Sequence, residues 1–143
     1  MVILYAASAL GVRVRHQAFH DSLTGLPNRL LFEDRVNQAL RGEDRHSVGV
    51  LFINLDQFKR VNDSLGHTAA DGLLQQVAER LLATLRSSDS AARVGGDEFA
   101  VLLPEAADEQ AALDAVWRIN DAMRRPFMVE QQELAATRYD VHS

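Results

Sequence analysis

Two glycines followed by two carboxylates and an aromatic, Gly95-Gly96-Asp97-Glu98-Phe99, are the residues of this 143-residue chain best suited to chemistry. Adjacent carboxylates can hold a divalent cation, which takes oxygen ligands. Paired glycines let a phosphate or a ribose approach the backbone where a side chain would block it. The combination points to a nucleotide site that uses Mg²⁺. An ordinary hairpin with solvated acids could carry the same five residues, so the reading depends on what accompanies them. Upstream stands Asn54-Leu55-Asp56-Gln57-Phe58-Lys59-Arg60-Val61-Asn62-Asp63-Ser64-Leu65-Gly66-His67, then Asp71. Before that comes Asp21-Ser22-Leu23-Thr24-Gly25-Leu26-Pro27-Asn28-Arg29.

The elements that must position these residues follow from the apolar pattern. Gly25 and Pro27 make a turn of the segment before Asn28, which is a helix cap. Phe32, Val36, Ala39 and Leu40 recur at helical spacing and predict a helix that ends near Gly42. Val48 to Leu55 is apolar on both alternating faces, as a central strand should be. Phe58, Val61 and Leu65 predict a short helix ending at Gly66. Leu73, Leu74, Val77, Ala78, Leu81, Leu82 and Leu85 predict a strongly amphipathic one. Ala91 to Val94 and Phe99 to Leu103, closed by Pro104, read as a hairpin around the glycines. Asp108 to Arg124 is a further helix with Ala112, Val116, Ile119 and Met123 inward. Phe127 to Val129 and Leu134 to Thr137 read as short terminal strands. Strand, helices, hairpin, helix and strand in that order predict an α+β sheet with helices packed on it.

Bulk composition bounds the partners. With 47% apolar and 24% charged residues the chain has the make-up of one globular domain. A net charge of −5 argues against nucleic acid as a partner. The absence of cysteine excludes disulfides and thiolate chemistry and fits a reducing cytoplasm. Val2 to Val12 is nearly all apolar, yet shorter than the roughly 20 residues that span a bilayer. It reads either as a signalling or dimerisation helix over residues 1–20 or as the tail of a membrane anchor upstream of the domain. In the second case Arg13 and Arg15 would place residues 21–143 at the cytoplasmic face of the inner membrane.

The three motifs, in this order and spacing from about His20 to Thr137, strongly resemble the GGDEF family, the diguanylate cyclase domains of bacterial second-messenger signalling. The resemblance implies a palm-like βαββαβ core, mainly antiparallel, shared with nucleotidyl cyclases and polymerases. In that topology the second hairpin strand lies antiparallel to Val48–Leu55, so Asn54, Leu55 and Asp97 become neighbours. The resemblance also implies a homodimer in which two GTP molecules face each other. Each 3′-hydroxyl attacks the α-phosphate of the other GTP, giving cyclic di-GMP and two pyrophosphates. Carried over, Asn54, Leu55 and Asp97 would hold Mg²⁺ or Mn²⁺, and Glu98 would assist the metal or act as base on the 3′-hydroxyl. Gly95 and Gly96 would admit the nucleotide, Asn62 and Asp71 would read guanine, and Lys59 would face the phosphates. Arg86-Ser87-Ser88-Asp89 stands where the family has its RxxD inhibitory site for cyclic di-GMP; a solvated helix-to-strand loop could read the same.

Two departures set this chain apart. The family has aspartate where Asn54 stands, and an amide brings no charge to a hard cation. Asp56 is the other carboxylate of the segment, competing with a plainer role as cap of the helix that begins there. The family continues through a last strand and a helix whose basic residues bind the triphosphate. Here Ala135-Ala136-Thr137 fits and Arg138 to Ser143 does not. A shortened last strand would leave Val48–Leu55 partly unpaired. Smaller signals read structurally: His16 and His20 as a solvated face rather than a metal pair, His67 as a loop residue, Trp117 as packing. Arg93 reads as a phosphate ligand or an ordinary strand arginine. Three functions follow: a cyclase whose turnover Asn54 and the C-terminus oppose, a degenerate domain that binds cyclic di-GMP or GTP as a regulatory module, or a structural remnant.

Overall fold

The structure is a computed structural model, and it describes residues 18–42, 48–106, 108–129, 132–134 and 139–142. Helix α1 (Arg29–Leu40) starts at Asn28, whose Oδ1 accepts from the Leu31 amide at 3.1 Å. Strand β1 (Gly49–Leu55) leads through a two-residue turn into α2 (Phe58–Leu65). Gly66, at φ +90°, then redirects the chain into α3 (His67–Thr84). That φ is open to glycine and costly for other residues, so the predicted break is real. Strands β2 (Ser90–Arg93) and β3 (Glu98–Leu103) form the hairpin. Helix α4 (Glu109–Arg124) is capped by Asp108, which accepts from the Ala111 amide at 2.8 Å. Strands β4 (Phe127–Val129) and β5 (Gln132–Leu134) make a small hairpin, and β6 (Tyr139–His142) follows.

The main sheet has the order β2-β3-β1-β6, with each neighbouring pair antiparallel. Strands β1 and β2 therefore run parallel with β3 between them, a split βαβ arrangement. Together with α4 and β6 this is the expected βαββαβ core. One sheet face carries Leu51, Ile53, Phe99 and Val101, all fully buried against α3 and α4. The other carries Ala92, Ala100 and Leu102 under Phe32 of α1. Arg80 ties α3 to the end of α4. It donates to the carbonyls of Ala122, Arg125 and Pro126 and lies 3.6 Å over the Phe127 ring centroid.

Several expectations need correcting. Phe52 is 38% exposed, so β1 buries one face and leaves much of the other open. The buried stripe of α4 is Ala115, Ile119, Ala122 and Met123, with Ala112 and Val116 at its margin. Trp117 is 63% exposed and does not pack: it stands about half a turn from that stripe. Asp56 is not a cap, since the N-cap of α2 is Gln57 and no side chain caps that helix. Leu134 ends β5, which pairs with β4 rather than β1; Ala135, Ala136 and Thr137 lie outside the described residues. The partner of β1 is Tyr139–His142, from the segment that fits no family pattern. Among the described residues it covers Phe52–Leu55, the part of β1 that nears the hairpin turn.

Candidate active site

The C-terminal end of β1 closes on the glycine turn. Asn54 is the register partner of Glu98, and the Leu55 amide donates to the Asp97 carbonyl at 3.1 Å. This brings Asn54, Leu55 and Asp97 together as expected. The turn is held at three successive carbonyls. That of Asp97 accepts from Leu55, and that of Glu98 accepts from the amides of Val94 (2.9 Å) and Gly95 (3.3 Å). The carbonyl of Gly96 accepts from Arg93, through Nη2 at 2.8 Å and Nε at 3.2 Å. The two glycines differ. A Cβ on Gly95 would sit 3.2 Å from the Glu98 Cβ, whereas one on Gly96 would meet nothing within 4 Å. A side chain at Gly95 would crowd Glu98, while the space over Gly96 is open. On the far side of β1, Asp140 is the register partner of Asn54, a juxtaposition that the motifs alone do not reveal.

Arg93, which the sequence left open between a phosphate ligand and an ordinary strand arginine, ends β2 and turns its side chain onto two partners in the protein. Its Nη1 donates to both carboxylate oxygens of Asp21, at 3.1 and 3.2 Å. Partial burial pushes the Asp21 carboxyl up. Hydrogen bonds from Thr24 Oγ1 (2.8 Å) and its amide (2.9 Å), with the Arg93 charge, more than offset this and hold it below the usual carboxylate range. The Arg93 amide donates to the Pro27 carbonyl and Arg29 Nε to the Val94 carbonyl, so the lead-in segment is laced to the hairpin. Beside it lies an open hollow of about 500 Å³ reaching from Asn28 and Glu33 to Gly95 and Gly96.

Lys59 is exposed on the first turn of α2, and Asp71 is exposed on α3. Asn62 is half-buried on α2, and its Oδ1 is fully buried with no hydrogen-bond partner among the described residues. Such an atom costs about 1–3 kcal/mol to leave unpaired. Arg86 and Asp89 close a turn between α3 and β2. The Arg86 amide donates to Asp89 Oδ2 and the Asp89 amide to the Arg86 carbonyl, both at 3.0 Å. The Arg86 side chain is exposed, and a small hollow of about 60 Å³ beside it is also lined by Arg118 and Glu105. Arg118, held by its Nε donating to the Thr84 carbonyl at 3.0 Å, was missed because no motif spans α4 and the loop.

Among the described residues, no group of three or more His, Asp or Glu side chains lies close enough to hold a metal. His16, half of the weighed histidine pair, lies outside the described residues. The donors around the turn are nonetheless all oxygens: the carboxylates of Asp97 and Glu98, the Leu55 carbonyl and the Asn54 amide. Mg²⁺ is commonly bound by one or two carboxylates with substrate phosphates completing its shell, so this donor set fits it. No helix among the described residues is long and apolar enough to cross a membrane.

Comparison with known proteins agrees with this geometry. The sequence pattern described as "Diguanylate cyclase, GGDEF domain" matches residues 18–139. The chain is 48% identical over 124 residues to diguanylate cyclase TpbB of Pseudomonas aeruginosa PAO1, covering 85% of this chain and 28% of TpbB. It is 44% identical over 119 residues to the bifunctional diguanylate cyclase/cyclic di-GMP phosphodiesterase MucR of the same organism, covering 82% of this chain and 17% of MucR. It thus spans little more than a quarter of the longer-matched relative's length. A structure of the isolated GGDEF domain of TpbB superimposes with a TM-score of 0.79 at 44% identity, covering 85% of this chain and 72% of that one. With the βαββαβ core, the glycine turn against β1 and these matches together, the chain belongs to the diguanylate cyclase GGDEF domain family.

Proposed function

We propose that this chain is a diguanylate cyclase domain that binds GTP with Mg²⁺ or Mn²⁺ and, as a homodimer, joins two GTP into cyclic di-GMP with release of two pyrophosphates. The observation that carries the reading is the closure of β1 on the glycine turn, with Leu55 N–H on the Asp97 carbonyl at 3.1 Å and Asn54 opposite Glu98. In this reading Asp97, the Leu55 carbonyl and Asn54 hold the cation. The cation would neutralise charge developing on the phosphates. Glu98, whose side chain leans over Gly95, accepts the proton from the attacking 3′-oxygen as the new bond to the α-phosphorus forms and pyrophosphate departs. Gly96 leaves room for the nucleotide, and Lys59 offsets the charge of its phosphates. The buried Asn62 Oδ1 accepts from the guanine N–H edge, and Asp71 accepts beside it. Two such sites must face each other, because each chain supplies only one of the two nucleotides.

Arg86 and Asp89 form the product site in this reading, Arg86 binding a phosphate or a guanine edge of cyclic di-GMP and Asp89 accepting from guanine nitrogens. Arg118 adds a second cation to the same hollow. Residues 1–20 lead into the domain proper at 21–143, and Arg13 and Arg15 after the apolar run favour the cytoplasmic face of the membrane. The test is nucleotide selectivity of binding. With Mn²⁺ present, GTP should raise the melting temperature of the chain and ATP should not. Equal shifts from the two would contradict the guanine reading of Asn62 and Asp71.

A further inference from the structure

We propose that Arg93, aimed by Asp21, is the positioning residue of the cation-bearing turn, so that the lead-in segment is part of the active site. The proposal rests on the cyclase reading for its consequence and on hydrogen bonds alone for its geometry. Of the three fixed carbonyls in the turn, those of Asp97 and Glu98 are held by backbone amides of β1 and of the hairpin. The Gly96 carbonyl is held by the Arg93 side chain, through Nε and Nη2. Gly96 adjoins Asp97, and neither Gly95 nor Gly96 has a side chain that could anchor the turn from within. The pose of the Asp97 carboxylate is therefore set from one side by β1 and from the other by one guanidinium.

That guanidinium is fixed in turn. Its remaining nitrogen, Nη1, donates to both oxygens of Asp21, whose carboxylate is already oriented by the amide and hydroxyl of Thr24. The Arg93 and Asp21 side chains are only 17% and 20% exposed, so the pair is sheltered from the solvent that weakens surface ion pairs. The Asp21 backbone is pinned as well, its amide to the Leu26 carbonyl at 2.7 Å and its carbonyl to the Gly25 amide at 2.9 Å. Asn28 holds the chain just ahead of Asp21: besides capping α1, it donates from its amide to the Phe19 carbonyl and from Nδ2 to the Ala18 carbonyl. A continuous set of bonds thus runs from Ala18 to Gly96. Lysine could keep the charge at position 93 but not the fork, because one ammonium cannot reproduce donors fixed in two directions.

The test uses the full chain with Asp21→Asn, Arg93→Lys, Arg93→Ala and the Asp21→Asn/Arg93→Ala pair. Amide hydrogen exchange is followed at Asp97 and Glu98 and, as reference, in α3; Mn²⁺ affinity is read in parallel. Arg93→Ala should speed exchange in the turn tenfold or more while α3 stays protected. Arg93→Lys should recover the melting temperature but not the turn protection, a split that a merely structural ion pair would not produce. Asp21→Asn should loosen the turn less, and have no further effect once Arg93 is alanine. Should Arg93→Ala fail to fold, Asp21→Asn and Arg93→Lys carry the same readouts. Turn exchange unchanged in these variants, or effects of the two sites that simply add, would overturn the proposal. A wild-type chain that binds no Mn²⁺ or GTP would sink the cyclase reading instead, and the exchange measurement would still decide the positioning role.

Discussion

Replacing the amide at position 54 by a carboxylate separates the electrostatics of the empty site from those of the loaded one. Asn54 and Glu98 are register partners in an antiparallel pair, which places their Cβ atoms about 5 Å apart on one face. Two carboxylates at that distance repel by about 3 kcal/mol at an effective dielectric of about 20. Both positions are half-exposed, so rotation toward solvent should reduce the cost to about 1 kcal/mol. Asn54→Asp should therefore lower the melting temperature of the metal-free chain by about 3 °C, the scale for a domain of this size. A divalent cation would reverse the sign, because the new charge becomes a ligand. A tenfold gain in affinity is about 1.4 kcal/mol, and we expect at least that for Mn²⁺. Differential scanning fluorimetry across a Mn²⁺ titration reads both arms. A variant no less stable without metal, and no more responsive to it, would refute the placement of Asn54 beside Glu98 at a cation site.

Three further outcomes follow from the same geometry. Asn62→Ala removes a buried acceptor that has no partner among the described residues, so the ligand-free chain should melt at the wild-type temperature or above it, while the GTP-induced shift disappears. A large loss of stability without nucleotide would mean that the Asn62 side chain serves the fold. Arg86→Ala should weaken cyclic di-GMP binding at least about tenfold by calorimetry, the scale for removing a charge-assisted bond, and leave melting unchanged; unaltered affinity would exclude the Arg86/Asp89 hollow as the product site. Asp21 has its pKa lowered in the folded chain, so the stability it contributes is present above the ordinary value of 3.8 and is lost as pH falls through its lower folded value. Wild type and Asp21→Asn should therefore differ in denaturant midpoint at neutral pH and converge in acid, and a constant difference at all pH values would contradict the ion-pair account.

How far the sequence could be read depended on the range of the interactions involved. Helix α1 was legible because its signals are local: Asn28 as cap, apolar residues at helical spacing, an end near Gly42. The break at Gly66 and the hairpin around Gly95 and Gly96 were legible for the same reason. The meeting of Asn54 with the glycine turn needed the topology that the family resemblance supplied. The contacts of Arg93 were not legible because its partners lie on either side of it in the sequence, Gly96 three residues on and Asp21 seventy-two before, and only folding brings the latter near. Trp117 was read as core because large aromatics usually are, yet the helix phase set by Ala115, Ile119 and Ala122 turns it to solvent. Tyr139–His142 was discounted because it lacks the family's residues. Pairing along β1 depends on backbone amides and carbonyls, which every residue other than proline provides in full.

The chemistry itself is decided by turnover. Purified, folded chain would be incubated with GTP and Mg²⁺ and the nucleotides separated by chromatography. Cyclic di-GMP with two pyrophosphates per product is expected, at a rate that rises in Asn54→Asp and vanishes in Asp97→Asn. Folded chain that binds GTP yet yields no cyclic di-GMP, in the wild type and in Asn54→Asp alike, would contradict the cyclase reading.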